Sequence, residues 1–209
     1  MTSRLIVPLD YPELPIALEI ADRLCTAVDW FKIGKELFTS VGPSYVQSLK
    51  KTGKSVFLDL KFHDIPNTVS GAVASATKLG ADMINVHASG GLEMMQAASL
   101  SAMDQADKLN IAKPKLLAVT VLTSIDQFAF ARDLNSSRSL SAQVVYLAQL
   151  AQKAGLDGVV ASPLEIEKIR RACGNDFWIV TPGIRPRQSV ISDQKRIMSP
   201  AEAIDAGAD

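Results

Sequence analysis

The feature that most constrains this chain is an alternation. Short apolar runs rich in Val and Ile take turns with amphipathic stretches from one end to the other. The runs are Leu5–Leu9, Trp30–Ile33, Val56–Leu60, Met83–Val86, Leu116–Leu122, Gly158–Ala161 and Phe177–Val180. Each is nearly continuously apolar, as parallel strands covered on both faces must be. Between them the spacing is helical: Leu14, Ala17, Leu18, Ala21, Leu24, Cys25 and Val28 recur on one face, as do Leu140, Val144, Leu147, Leu150 and Ala154.

The punctuation repeats too. Ser162-Pro163-Leu164-Glu165 and Ser199-Pro200-Ala201-Glu202 both read as an N-cap serine, a proline at the first helical position and a capping-box glutamate. Helices stop at Gly53, Gly80, Gly155 and Gly207. There is no composition break or linker, so one domain over residues 1–209 is expected. The predicted fold class is α/β, a TIM (β/α)8 barrel. A doubly wound open sheet is the alternative, but no Gly-x-Gly-x-x-Gly follows the first strand. The last glycine stop, Gly207-Ala208-Asp209, leads into no further run. The expectation is therefore a barrel whose eighth strand and final helix are missing from this chain.

Composition narrows the function. The 209 residues carry 22 Lys and Arg against 22 Asp and Glu. This balance lacks the basic excess of a general nucleic-acid binder. Two cysteines and two histidines are too few for a disulfide framework or a His-rich metal cage. No apolar run approaches the ~20 residues of a membrane helix. The N-terminal Met1-Thr2-Ser3-Arg4-Leu5-Ile6-Val7-Pro8 lacks the apolar core of a secretory signal. A cytoplasmic protein without metal, membrane or nucleic-acid partner is expected.

Charge then appears where the strands should be greasy. In a parallel barrel, ligands meet the C-terminal ends of the strands. Asp10 ends the first run, Lys32 lies in the second, and the third continues as Asp59-Leu60-Lys61-Phe62-His63-Asp64. Strand alternation points Asp59 and Lys61 to one side and Leu58 and Leu60 to the other. Burying such charges costs several kcal/mol per ion unless they are well paired. Their concentration at the ligand-binding edge therefore reads as an enzyme site rather than as solvated strand caps. Carboxylates on either side of Lys61 favour its ammonium form. That makes it a fixed proton donor, suited to protonating a carbanion left by departing carbon dioxide. His63 and His87 read as packed or hydrogen-bonded imidazoles, Gly90-Gly91 as a turn able to approach a phosphate, and Cys25 as core. After the seventh run, Thr181-Pro182-Gly183-Ile184-Arg185-Pro186-Arg187 forms a basic loop where barrels of this class commonly bind phosphate. Arg185 suits a dianion. Gln194 lies further along the same polar loop and could close over a ligand.

These residues resemble a known family. Asp59-Leu60-Lys61-Phe62-His63-Asp64-Ile65-Pro66-Asn67-Thr68 is similar to the signature of orotidine 5′-phosphate decarboxylases. Val7-Pro8-Leu9-Asp10, Phe31-Lys32-Ile33-Gly34, Asn85-Val86-His87-Ala88, Val119-Thr120-Val121-Leu122-Thr123-Ser124, Pro182-Gly183-Ile184-Arg185 and Asp193-Gln194 fall in the same order as in the family. The resemblance implies decarboxylation of orotidine 5′-monophosphate to UMP, the last step of de novo pyrimidine synthesis, with no cofactor or metal. It implies a charged tetrad of Lys32, Asp59, Lys61 and Asp64, with Lys61 protonating C6. It further implies that Asp10 and Lys32 bind the ribose, that Thr123 contacts substrate, and that Arg185 and Gln194 hold the phosphate. The family's homodimer would carry Asp64, with Ile65 and Thr68, into the partner's site. Two other readings remain: a metal-dependent sugar-phosphate decarboxylase of the same suprafamily, and a non-catalytic nucleotide-binding barrel.

Overall fold

A computed structural model describes residues 5–185 and 198–209. These residues group into two compact units. The first comprises residues 5–86 and 96–116, and the second comprises 87–95, 117–185 and 198–209.

The first unit begins with β1 (Ile6–Pro8), α1 (Leu14–Leu24), β2 (Trp30–Gly34), α2 (Lys35–Val41) and α3 (Ser44–Lys51). β3 (Ser55–Phe62), α4 (Pro66–Lys78) and β4 (Met83–His87) follow, with most of α5 (Gly91–Leu109). β1 pairs parallel with β2, β2 with β3 and β3 with β4. This is consecutive order with no reversal, which is barrel-type rather than doubly wound winding. Val56, Phe57 and Leu58 of β3 and Met83, Ile84 and Val86 of β4 are almost wholly buried, in keeping with strands covered on both faces. At the end of the unit where the strands begin, Asp82 fastens neighbouring elements. Its carboxylate accepts the Val56 N–H at 2.7 Å and pairs with the Lys50 ammonium at 2.6 Å.

The second unit holds most of β5 (Lys115–Val119), then α6 (Gln127–Asp133), α7 (Leu140–Lys153), β6 (Gly158–Val160), α8 (Ile166–Cys173), β7 (Trp178–Val180) and α9 (Pro200–Asp205). β5 pairs parallel with β6 and β6 with β7. Gly158 faces Trp178 in that register, and a Cβ there would stand 2.3 Å from the Trp178 carbonyl oxygen, so the approach of the two strands depends on a bare glycine. Beyond α9, Asp209 lies alongside β7. Its N–H donates to the Ile179 carbonyl at 3.1 Å, and its carboxylate accepts the Ile179 N–H at 2.7 Å.

The local signals hold with some corrections. All four predicted glycine stops adopt positive φ. Ser199 and Glu202 form the reciprocal capping box. Ser162-Pro163-Leu164-Glu165 does not: Ser162 accepts from the Leu164 N–H and opens a 3-10 turn, while Glu165 is buried. The α-helix proper, α8, begins at Ile166 with Glu165 at its N-cap position, three residues after the predicted first helical residue, Pro163. The run Leu116–Leu122 is strand only to Val119, and Leu122 is exposed. On α1, Ala17 and Ala21 are buried but Leu18 is exposed, and Cys25 is half-buried just past the helix rather than core. Among the described residues no helix is long and apolar enough to cross a membrane.

Candidate active site

Asp10, Lys32, Asp59 and Lys61 converge within the first unit. Lys32 Nζ donates to both carboxylate oxygens of Asp10, at 2.7 and 3.0 Å. The same ammonium lies 3.2 Å from Asp59 Oδ2. On the far side, Lys61 Nζ donates to Asp59 Oδ1 at 2.5 Å. Charge therefore alternates along Asp10–Lys32–Asp59–Lys61. The Asp59 side chain is only 11% exposed and that of Lys32 18%, so the pairing offsets desolvation that neither ion could bear alone.

β2 presents this chain through its pleat: Phe31 and Ile33 are buried in the core, and Lys32 and Gly34 point to the other face. Gly34 pairs with Asp59 across the ladder and leaves open the space that the Asp10 carboxylate fills. β3 behaves differently from the expected regular alternation. Its register with β4 runs Phe57↔Met83 and Leu58↔Ile84, then shifts and resumes at Phe62↔Val86. Lys61 sits inside this bulge with φ +53°, a left-handed backbone uncommon for any residue but glycine. The bulge, not the pleat, aims Lys61.

One site residue escaped the motif reading in any functional role. Asn85, in the middle of β4, is fully buried, donates from Nδ2 to Asp59 Oδ1 at 2.6 Å, and accepts the Lys61 N–H on Oδ1 at 2.8 Å. The available signal was an amide inside an otherwise apolar strand.

Asp64 does not join the ion-pair chain. It is exposed, accepts the Ile65 N–H at 2.7 Å, and makes no ion pair among the described residues. Ile65 is 67% exposed, and Thr68 is exposed in the first turn of α4. His63 is exposed and His87 half-buried, and both are engaged by neighbouring groups. Among the described residues no cluster of three or more His, Cys, Asp or Glu is placed to hold a metal ion.

In the second unit, Thr123 is buried beyond the end of β5 and Ser124 is exposed. Gly90 ends a 3-10 turn, and Gly91, at φ +86°, opens α5. Gly183, at φ +79°, turns the chain out of β7. The Arg185 backbone N–H then donates to the Met198 carbonyl at 3.0 Å, and its guanidinium donates to the Ile184 carbonyl at 2.9 Å. Arg187 and Gln194 lie outside the described residues.

Comparison with known proteins agrees along the whole chain. Residues 3–209 match the model of the "Orotidine 5'-phosphate decarboxylase / HUMPS family". A curated orotidine 5′-phosphate decarboxylase of Moorella thermoacetica is 51% identical over 206 residues, covering 99% of this chain and 82% of its own length. The crystal structure of orotidine 5′-phosphate decarboxylase from Lactobacillus acidophilus superposes with a TM-score of 0.84 at 36% identity, over 99% of this chain and 88% of that one. The orotidine 5′-monophosphate decarboxylase of Methanocaldococcus jannaschii, complexed with inhibitor BMP, shares the fold with a TM-score of 0.76 at 24% identity, over 100% of this chain and 86% of that one. The fold is thus the parallel β/α barrel expected from the sequence, with seven strands among the described residues. A match that spans residues 3–209, supported by a half-identical relative, places the chain in the orotidine 5′-phosphate decarboxylase / HUMPS family.

Proposed function

We propose that this chain decarboxylates orotidine 5′-monophosphate to UMP, the closing step of de novo pyrimidine synthesis. The observation that carries the reading is the alternating chain Asp10–Lys32–Asp59–Lys61, with the Lys61 ammonium held against Asp59. In the reaction, the bond between C6 and the substrate carboxylate breaks and carbon dioxide leaves. The electron pair remains on C6. The Lys61 ammonium stabilises that developing charge and gives C6 its proton, and the resulting amine regains a proton from water. Negative charge grows at C6 only as the bond breaks, so this ammonium favours the transition state over the bound substrate. Asp59 holds Lys61, while Lys32 and Asp10 bind the ribose. Thr123 contacts the substrate, and Arg185 and Gln194 take the phosphate, in the pattern the family resemblance implies.

The work is assigned to side chains alone, without metal or cofactor. Supporting this, Asp59 already receives an ammonium and an amide on one oxygen and faces a second ammonium with the other. Such an environment suits ion pairing rather than metal ligation. We also infer a cytoplasmic homodimer in which Asp64, Ile65 and Thr68 serve the partner's site. Their exposure, and the absence of Asp64 from the ion pairs among the described residues, support that arrangement.

The test is spectrophotometric: loss of orotidine 5′-monophosphate absorbance with release of carbon dioxide, undiminished by EDTA and nearly abolished in Lys61→Ala. Turnover that chelation stops would transfer the reading to the metal-using sugar-phosphate relatives. UMP binding without turnover would make the chain a nucleotide-binding barrel.

A further inference from the structure

We propose that Asn85 is a positioning residue for this reaction: its buried amide holds the β3 bulge so that Asp59 and Lys61 meet. The proposal rests on the decarboxylase reading above and adds a residue to it.

The argument begins with cost. Asn85 lies between Ile84 and Val86, all three fully buried. An amide placed there without partners would leave the cost of its desolvation unrepaid. Both of its functional ends are used, and both on the same short segment. Nδ2 donates to Asp59 Oδ1 and Oδ1 accepts the Lys61 N–H, at 2.6 and 2.8 Å.

The register shows why the segment needs such a partner. Between Leu58↔Ile84 and Phe62↔Val86, β3 places Asp59, Leu60 and Lys61 against Asn85 alone. Regular ladder bonds cannot serve that mismatch, and Lys61 leaves the β region for φ +53°. A left-handed backbone is strained for a non-glycine residue, because its Cβ crowds the following carbonyl oxygen. The Asn85 carbonyl supplies the acceptor that the bulge denies to the Lys61 N–H. Its NH2 group meanwhile fixes the carboxylate oxygen that also receives the Lys61 ammonium. One side chain thus sets both ends of the Lys61–Asp59 pair, the backbone at one end and the carboxylate at the other.

Two substitutions separate positioning from packing. Asn85→Leu keeps the branched side-chain skeleton, fills the site and removes both hydrogen bonds, whereas Asn85→Ser shortens the side chain and keeps a hydroxyl that can donate to Asp59. If Asn85 acts by packing, activity follows volume and Leu outperforms Ser. If it acts by positioning, kcat ranks wild type above Ser and Ser above Leu. For Asn85→Leu we expect kcat to fall about 100-fold, the scale of a small misplacement at a reacting centre. KM for orotidine 5′-monophosphate and Kd for UMP by calorimetry should stay within a few-fold of wild type, because the binding groups are untouched.

An Asn85→Leu enzyme with wild-type kcat overturns the inference. So does a loss of kcat, UMP affinity and thermal midpoint in parallel, with Ser no better than Leu, since that is a folding defect. Wild-type protein is assayed first. If it does not turn over orotidine 5′-monophosphate, the decarboxylase reading fails and this inference falls with it; if it does, the variants decide the role of Asn85 alone.

Discussion

Asp10 and Gly34 share a space that closes as soon as Gly34 acquires a side chain: a Cβ there would stand 2.5 Å from Asp10 Oδ1 and 3.0 Å from Lys32 Nζ. The backbone φ of Gly34 is −89°, so the position needs glycine for room and not for conformation. Asp10 is half-exposed and free to swing outward, which breaks its pairing with Lys32 at little cost to folding. Gly34→Ala should therefore lower kcat/KM about tenfold or more through lost alignment, with a nearly unchanged thermal midpoint. Wild-type kinetics in that variant would show that the Asp10–Lys32 pair contributes nothing to turnover.

Tyr45 offers a prediction for stability. Its ring is buried on α3, and its hydroxyl has no hydrogen-bond partner among the described residues. Burial pushes its ionisation from 10.0 up to about 12. Tyr45→Phe removes the unsatisfied group and should stabilise the fold by about 1 kcal/mol near neutral pH. The pH dependence has a definite sign. Above pH 10 the unfolded chain releases this proton and the folded one retains it, so wild-type stability falls as pH rises from 10 through about 12. Denaturation of both proteins across that range should show the gap between them widening, and a constant gap would refute the assignment.

The exposed position of Asp64 leads to a mixing experiment. Asp64→Ala and Lys61→Ala should each be nearly inactive. In a mixed dimer, one site would combine an intact Lys61 with the partner's intact Asp64. Random exchange should restore about a quarter of wild-type activity, as expected for a two-fold arrangement with shared sites. Mixtures that remain inactive after refolding together would return Asp64 to its own subunit's chemistry or remove it from the site.

Arg185 lies just beyond the Gly183 turn, with its backbone secured to Met198. If its guanidinium grips the phosphate, binding energy remote from the reacting carbon is drawn into catalysis. Arg185→Ala should then raise KM and lower kcat/KM by about 10- to 100-fold. Addition of guanidinium ion should recover part of the loss. Unaltered steady-state kinetics would take Arg185 out of the site.

Sequence by itself determined the architecture and the class of chemistry. Parallel strands buried on both faces must be continuously apolar, so their positions and their alternation with helices were legible without coordinates. Charged residues at the ends of such runs are costly enough to stand out, which exposed Asp10, Lys32, Asp59, Lys61 and Asp64. Tertiary structure alone decided which charge meets which. The contacts Asp10–Lys32, Lys61–Asn85 and Asp59–Asn85 join residues 22, 24 and 26 positions apart, and such separations leave no local periodicity to read. The bulge in β3 was equally hidden, because a register shift belongs to a pair of strands and not to either one. It gave Lys61 its left-handed backbone and Asn85 its purpose. Asp64 stands apart from the four charges that meet, because it lies beyond the end of β3 and at an even position that the pleat would in any case turn to the opposite face.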